Sequence, residues 1–170
     1  MKKLFKVALV AVCMVFMGNF AKAQVKIGYI DQNALIGVMP ELATVKVQME
    51  AFQKTFVDGY AVLNKELNDK GQDYQSHQAT MNDAQKTIKQ SELADLQKRM
   101  QDFQTSAQQK IEAKSQEYMK PLYDRVHAAI DAIAKEKGYT YVLDSSQTSL
   151  LVSPPADDMM VAVKAKIGIK

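Results

Sequence analysis

A long polar stretch from Glu41 to Lys137 constrains the fold of this chain more than any other part of its sequence. Apolar residues recur in it at steps of three, four or seven, which keeps them on one face of an α-helix. Because an isolated helix with so narrow an apolar face is only marginally stable in water, each face predicts a partner helix. Two successive stripes are present: Val45, Met49, Phe52, Phe56, Leu63, Leu67, Tyr74 and Met81, then Leu93, Leu96, Met100, Phe103, Ala107, Ile111, Tyr118, Leu122, Val126, Ala129 and Ile133.

The two stripes mirror each other, which predicts an antiparallel helical hairpin over residues 41–137. The numbers of facing residues, such as Val45 with Val126 and Leu67 with Phe103, add up to 170 or 171. Sums near 167 also fit some pairs, so the tip is placed only within residues 82–90. There, Asn82 and Gln85 have the spacing of a helix-capping box. Each arm of roughly 40 residues should extend about 60 Å.

The first 23 residues have the features of a secretory signal peptide. Three lysines precede an apolar run from Val7 to Met17, and residues 21–23 form an A-x-A cleavage site. Its removal takes away the single cysteine, Cys13, and leaves 18 basic residues against 19 acidic ones. We therefore expect a soluble mature protein that begins at Gln24, acts outside the cytoplasm and contains no disulfide. Its charge gives no support to nucleic-acid binding.

Short β-prone segments flank the hairpin, in residues 24–40 and 138–170, and predict an α+β fold with a small β body. We expect strands at Val25–Ile30, Tyr139–Leu143 and Leu150–Ser153, followed by a short helix from Asp157 to Lys166. Because so small a body has little core, the strands of several chains should pack around a common axis. The candidates for this body and oligomer core are Val25, Ile27, Tyr29, Tyr141, Leu143, Leu150 and Val152.

The sequence contains no recognisable catalytic or metal-binding motif. His77 and His127 are far apart and have no cysteine or carboxylate at ligand spacing, and adjacent acids such as Asp157 and Asp158 at a helix start are typical of caps. We therefore expect a protein that is not an enzyme and has no cofactor.

Two groups of arm residues are functional candidates. Apolar residues off the packing stripe could contact a bound protein, with ordinary exposed surface as the alternative: Val47, Val57, Tyr60 and Val62. Residues that are unfavourable inside helices could let the arms flex, with tolerated imperfection as the alternative: Gly59, Gly71 and Pro121.

Three segments resemble the Skp (OmpH-like) family of periplasmic chaperones. They are VKIGYID at Val25–Asp31, KPLYDRVHAAIDAIAKEKGYTYVLD at Lys120–Asp144 and LLVSPPADDMMVAVKAKIG at Leu150–Gly168. The resemblance implies a homotrimer in the periplasm of a Gram-negative bacterium, with a β body and three helical arms around a cavity. It also implies an ATP-independent holdase that keeps unfolded outer-membrane β-barrel proteins from aggregating until they reach the insertion machinery, with at most peripheral membrane contact.

The charge of the arms differs from that of the best-known family members, whose arms are strongly basic. Residues 64–100 contain six basic and six acidic side chains. We therefore expect apolar and hydrogen-bonding contacts to contribute more than electrostatic capture. The alternative functions are a structural coiled-coil spacer or envelope adaptor that binds one folded partner and, less favoured by the residues, a secreted hydrolase or metal enzyme.

Overall fold

The structure, a computed structural model, describes residues 25–169. The predicted signal peptide lies outside the described residues. The two long helices and the small sheet confirm the predicted α+β fold. In chain order the elements are β1 (Ile27–Ile30), α1 (Gln32–Gly37), α2 (Glu41–His77), α3 (Asp83–Lys137), β2 (Tyr141–Asp144), a 3-10 turn (Pro155–Asp157) and α4 (Met160–Ile167).

Helices α2 and α3 form the predicted hairpin, joined by a short turn at residues 78–82. The predicted capping box is present at the start of α3. The Asn82 side chain accepts a hydrogen bond from the Gln85 backbone N–H at 2.9 Å, and the Gln85 side chain accepts one from the Asn82 N–H at 3.0 Å. At the other end, Gly138 adopts a left-handed conformation with φ of 70°, which suits a glycine cap and ends α3 where the sequence predicts.

The predicted register of the hairpin was wrong by about eight residues, or roughly two helical turns. Phe103 contacts Phe56 and not Leu67, and Asp73 pairs with Lys89. The reason lies in the lengths of the helices, 37 residues for α2 and 55 for α3. The last part of the second stripe, from Leu122 to Ile133, packs into the core of the body as well as against α2, so the two stripes do not match position by position.

The body is a two-stranded parallel sheet covered by helices on one face. Ile27 lies opposite Tyr141 and Ile30 opposite Asp144. Gly28 and Ile30 face the core, and a Cβ added at Gly28 would lie 2.8 Å from the Met159 sulfur. The core cluster lies at the base of the hairpin and includes Ile30, Leu35, Ile36, Met39, Leu122, Val126, Ile130, Ile133, Met159, Val163 and Ile167.

Two features of the body differ from the sequence-based expectation. Residues 150–153 do not form a strand, so the third predicted strand was wrong in the single chain. The free edge of β1 is instead bridged at one point, where the Met159 N–H donates to the Tyr29 carbonyl at 3.0 Å. Pro154 and Pro155 have no N–H with which to extend this pairing. The short helix α1, capped by Asp31, was not predicted because six residues are too few to show a period.

Polar contacts at the base of the arm join α3 to α2 and to the C-terminal helix α4. The Arg125 guanidinium pairs with Glu41 at the start of α2. It also donates a hydrogen bond of 2.7 Å to the Ile167 carbonyl at the end of α4. Lys166 pairs with Glu136. The predicted C-terminal helix is present and is thereby fixed against α3.

Candidate binding surface on the helical arm

Aromatic contacts join the two helices in the middle of the arm. The rings of Phe52 and Phe56 meet edge to face with centroids 5.1 Å apart, and the centroids of Phe56 and Phe103 are 6.1 Å apart. Each such pair contributes about 0.5–1.5 kcal/mol beyond the area it buries. In this cluster the ring of Phe103 on α3 packs against α2.

Gly59 lies against the ring of Phe103. A Cβ added at position 59 would lie 2.8 Å from Cζ of that ring, closer than carbon atoms pack. The glycine therefore has a packing role, since it lets an aromatic ring approach the backbone of α2. Gly71 has open space around it, and Pro121 lies inside α3 near the body. Flexing of the arm at Gly59, Gly71 and Pro121 stays a prediction.

An open apolar groove of about 460 Å³ runs beside this cluster on one side of the hairpin. Its apolar lining residues are Phe56, Val57, Tyr60, Phe103, Ala107 and Ile111, and its polar ones are Gln53, Gln104 and Gln108. We call it the glutamine-rimmed groove. Among these described lining residues none carries a charge, so the groove offers apolar contact together with amide hydrogen bonds.

A second groove lies on the other side of the same seam. It has a volume of about 610 Å³ and is lined by Gly59, Val62, Leu63, Arg99, Asp102, Phe103 and Ser106. We call it the charged groove. Val57 and Val62 belong to different grooves because five residues turn an α-helix by about 140° beyond one full turn.

The four predicted contact residues lie in three different parts of the arm. Val57 and Tyr60 share the glutamine-rimmed groove, Val62 lines the charged groove and Val47 lies nearer the body. Sequence reasoning assigned Phe103, Ala107 and their neighbours to packing alone and missed their second role as groove lining. The small residue Ala107 within the apolar stripe of α3 is the signal that the seam leaves space.

Ion pairs join the two helices towards the tip of the arm. Lys89 Nζ lies 3.1 Å from Asp73 Oδ2, and Lys70 Nζ lies 3.1 Å from Glu92 Oε2. The hydrogen bond and charge of Lys89 lower the pKa of Asp73, and Asp73 in turn raises the pKa of Lys89. His77 lies exposed beside Asp73, with Nδ1 at 3.1 Å from Oδ1 of that carboxylate.

A second apolar surface lies in the body, on the sheet face that points away from the core. The predicted body residues lie on or beside it, and none of them belongs to the core cluster of the single chain. A cavity of about 370 Å³ lies among Val25, Ile27, Tyr29, Leu143, Leu150 and Val152. Tyr141 is exposed as well, and Val152 is 83% exposed. Exposed apolar patches of this kind mark interaction surfaces.

Comparison with known proteins identifies the family of this chain. The family model for outer membrane protein (OmpH-like) matches residues 26–167, which is most of the chain. The chain belongs to the OmpH-like family. The resemblance stated above is therefore confirmed.

The OmpH-like fold is also found in a solved structure. A Caulobacter crescentus CB15 protein, proposed to be an OmpH-like outer membrane chaperone, has a crystal structure at 2.83 Å that matches with a TM-score of 0.68. The match covers 83% of this chain and 82% of the other at 14% sequence identity, so it shows a shared fold. No functionally curated protein matches the chain significantly.

Within residues 25–169, His, Cys, Asp and Glu side chains form no group of three or more that could hold a metal ion. His127 contacts the Gln32 side chain, with Nε2 at 3.1 Å from Oε1. None of the helices in this range combines the length and the apolar character that a membrane crossing requires.

Proposed function

We propose that this OmpH-like protein is an ATP-independent holdase chaperone of the Gram-negative periplasm. In this proposal, a homotrimer binds unfolded outer-membrane β-barrel proteins between its helical arms and prevents their aggregation. Family membership and the shared fold with a protein proposed to be an outer membrane chaperone support a chaperone role in general. The observation that carries the proposal for this chain is the exposed, uncharged apolar groove in the middle of the arm.

The exposed face of the body supports association into a trimer. A two-stranded sheet is marginal by itself, and here one of its faces carries apolar side chains into solvent. Packing the same face of three copies together would bury the predicted set Val25, Ile27, Tyr29, Tyr141, Leu143, Leu150 and Val152. In this arrangement residues 24–40 and 138–170 form the body and residues 41–137 form one arm per subunit.

The charges of the arm support capture by apolar contacts. Several arm lysines pair with carboxylates on the same arm, as in Lys54 with Asp58, Lys98 with Asp102 and Lys89 with Asp73. Such pairing leaves little positive field to attract an acidic client. The strands of an unfolded barrel protein alternate apolar and polar side chains, so many weak apolar contacts can shield them and can also release them without ATP.

The remaining parts of the proposal concern export and delivery. Residues 1–23 act as the cleaved signal peptide, and the client passes from the arms to the outer-membrane insertion machinery. The protein itself contacts the membrane at most peripherally and needs no cofactor.

Light scattering tests the proposed function. A barrel protein denatured in urea is diluted into buffer with or without the purified chain lacking residues 1–23, and aggregation is followed over time. We expect a molar excess of trimer to suppress the scattering. Unchanged aggregation would contradict the holdase function and favour a spacer or adaptor, and an unrelated coiled-coil protein at equal mass is the control.

A further inference from the structure

The glutamine-rimmed groove has the chemistry to recognise one class of ligand. We infer that it is the client subsite of the arm and takes an extended polypeptide segment whose uncharged apolar side chains point to one face. This inference rests on the proposed function, and it adds which side of the arm the client contacts.

The floor of the groove is preformed. Phe103 packs against the Phe56 ring and the backbone at Gly59, so its ring already lies against α2. Ala107 is small and buried next to it, which leaves the groove open between the aromatic rings and Ile111. A preformed apolar floor lowers the entropy cost of binding because few side chains need to be ordered when the ligand arrives.

The rim of the groove matches the main chain of a peptide. Gln53, Gln104 and Gln108 each carry one carbonyl acceptor and an NH₂ group with two donors. A peptide group likewise has one donor and one acceptor. Side-chain amides can therefore pair with the backbone of an extended segment whatever its sequence, while the apolar floor selects the side chains.

The length of the groove fits a short part of a β-strand. The lining runs from Gln53 to Tyr60 on α2 and from Phe103 to Ile111 on α3, about 10–12 Å at 1.5 Å per residue. An extended chain advances about 3.3 Å per residue, so the groove holds roughly three residues, with two side chains on the same face. A membrane strand of about ten residues is longer than one groove, so each arm holds only part of it.

The charged groove is the natural comparison because it lies on the same arm, beside the same Phe103. Arg99 and Asp102 line it, and Asp102 also pairs with Lys98 at 2.9 Å. Covering these charges with an apolar segment removes water from them at a cost that an uncharged groove avoids. Client binding should therefore favour the side of Val57 over the side of Val62.

Two matched substitutions test this inference, Val57→Asp and Val62→Asp. The two valines are 66% and 68% exposed, lie on the same helix and differ in the groove they line. The ligand is a fluorescein-labelled peptide of about ten residues in which Val, Phe and Tyr alternate with Ser, Thr and Gln, matching a membrane strand. Fluorescence anisotropy gives the Kd, and circular dichroism verifies that both variants stay helical.

We expect Val57→Asp to raise the Kd about tenfold or more, and Val62→Asp to change it less than about twofold. Equal effects, a larger effect at Val62 or no binding of the peptide to the wild-type protein would overturn the inference. Photocrosslinking from p-benzoylphenylalanine at position 57 or 62 gives a second readout that needs no loss of function. Crosslinks mainly from position 57 support the inference, and equal yields contradict it.

The light-scattering assay separates this inference from the proposed function. If the wild-type protein suppresses aggregation but the peptide shows no preference for the Val57 side, the holdase function stands and the subsite is wrong. If the peptide binds with the expected preference but aggregation is unchanged, the subsite stands as a peptide site and the holdase function fails.

Discussion

At the scale of single residues, the two arm glycines have different surroundings although both lie inside α2. The ring of Phe103 occupies the space where a side chain at Gly59 would lie, whereas Gly71 has no atom within 4 Å of the added Cβ. In a helix interior, glycine costs about 1 kcal/mol relative to alanine. Alanine in place of glycine recovers this cost without moving a neighbouring side chain at Gly71 but not at Gly59.

We therefore expect opposite effects from alanine at these two positions. Gly71→Ala should raise the free energy of unfolding by about 0.5–1 kcal/mol. Gly59→Ala should lower it by about 1 kcal/mol, because displacing Phe103 costs more than the helix propensity returns. Urea unfolding followed by circular dichroism measures both, with each variant serving as the control for the other. Equal stabilisation by the two substitutions would contradict the packing role of Gly59.

Asp73 makes the tip of the arm sensitive to pH. Because its pKa in the folded chain is lowered below the ordinary value of 3.8, its pairing with Lys89 stabilises the tip above that value and is lost as the pH falls further. The pKa of Lys89 is raised above its ordinary value of 10.5. The pairing of Lys89 with Asp73 therefore stabilises the tip below pH 10.5 and is lost as the pH rises further. Both groups are exposed, so the effect is local and screened by salt.

We expect backbone amides in residues 70–92 to lose protection as the pH falls below 3.8, while amides near Phe103 change less. Hydrogen exchange analysed by mass spectrometry, corrected for the intrinsic pH dependence of exchange, measures this loss. In Asp73→Asn the protection of the tip should depend less on pH over the same range. An unchanged pH profile in this variant would show that the pair with Lys89 does not hold the tip together.

At the scale of elements, the sequence predicts the helices and their ends, which depend on local periodicity and capping. It misses the hairpin register and the strand pairing, which depend on the segments that pack against them. The stripes of α2 and α3 have the helical period along their whole length, and the Asn82 cap and Gly138 stop lie where local chemistry requires them. The register was missed because Leu122 and Val126 also pack into the core of the body. The strand expected at residues 150–153 was missed because the single chain gives it no neighbour. The same reasoning named Val57 and Tyr60 as candidates but could not place them in one groove without that register.

At the scale of the whole molecule, apolar side chains are divided between a core at the base and two kinds of exposed surface. The core holds Ile30, Val126 and Met159, whereas the arm extends about 55 Å along the 37 residues of α2. Only the base of the arm packs against the body, through residues such as Leu122 and Val126. In the proposed trimer, the exposed face of the sheet supplies further apolar burial.

Val152 tests the assembly without disturbing the single chain. It is 83% exposed and lies outside any helix or strand, so Val152→Asp leaves the core of the chain intact. If this position is buried in a trimer core, the aspartate charge should dissociate the trimer. We expect the association constant of each subunit contact to fall by at least about tenfold. Sedimentation equilibrium measures the mass. Val161→Asp, at an 80% exposed position outside the predicted interface, is the control. A monomeric wild-type protein, or a variant that stays trimeric, would contradict the proposed interface.

The parallel pairing of β1 with β2 has a consequence for the order of folding. Parallel strands need a crossover connection, and in this chain the crossover is the entire hairpin between Ile30 and Tyr141. The hairpin relies on contacts between neighbouring helices, so it can form early, whereas the sheet has to wait until the arm has brought its two ends together. In the proposed export, which starts from the N-terminus, β1 stays without its partner strand until nearly the whole chain has emerged. In the proposed trimer, the arms would then be complete before the body that joins them, and a subunit would expose its proposed binding groove before it assembles.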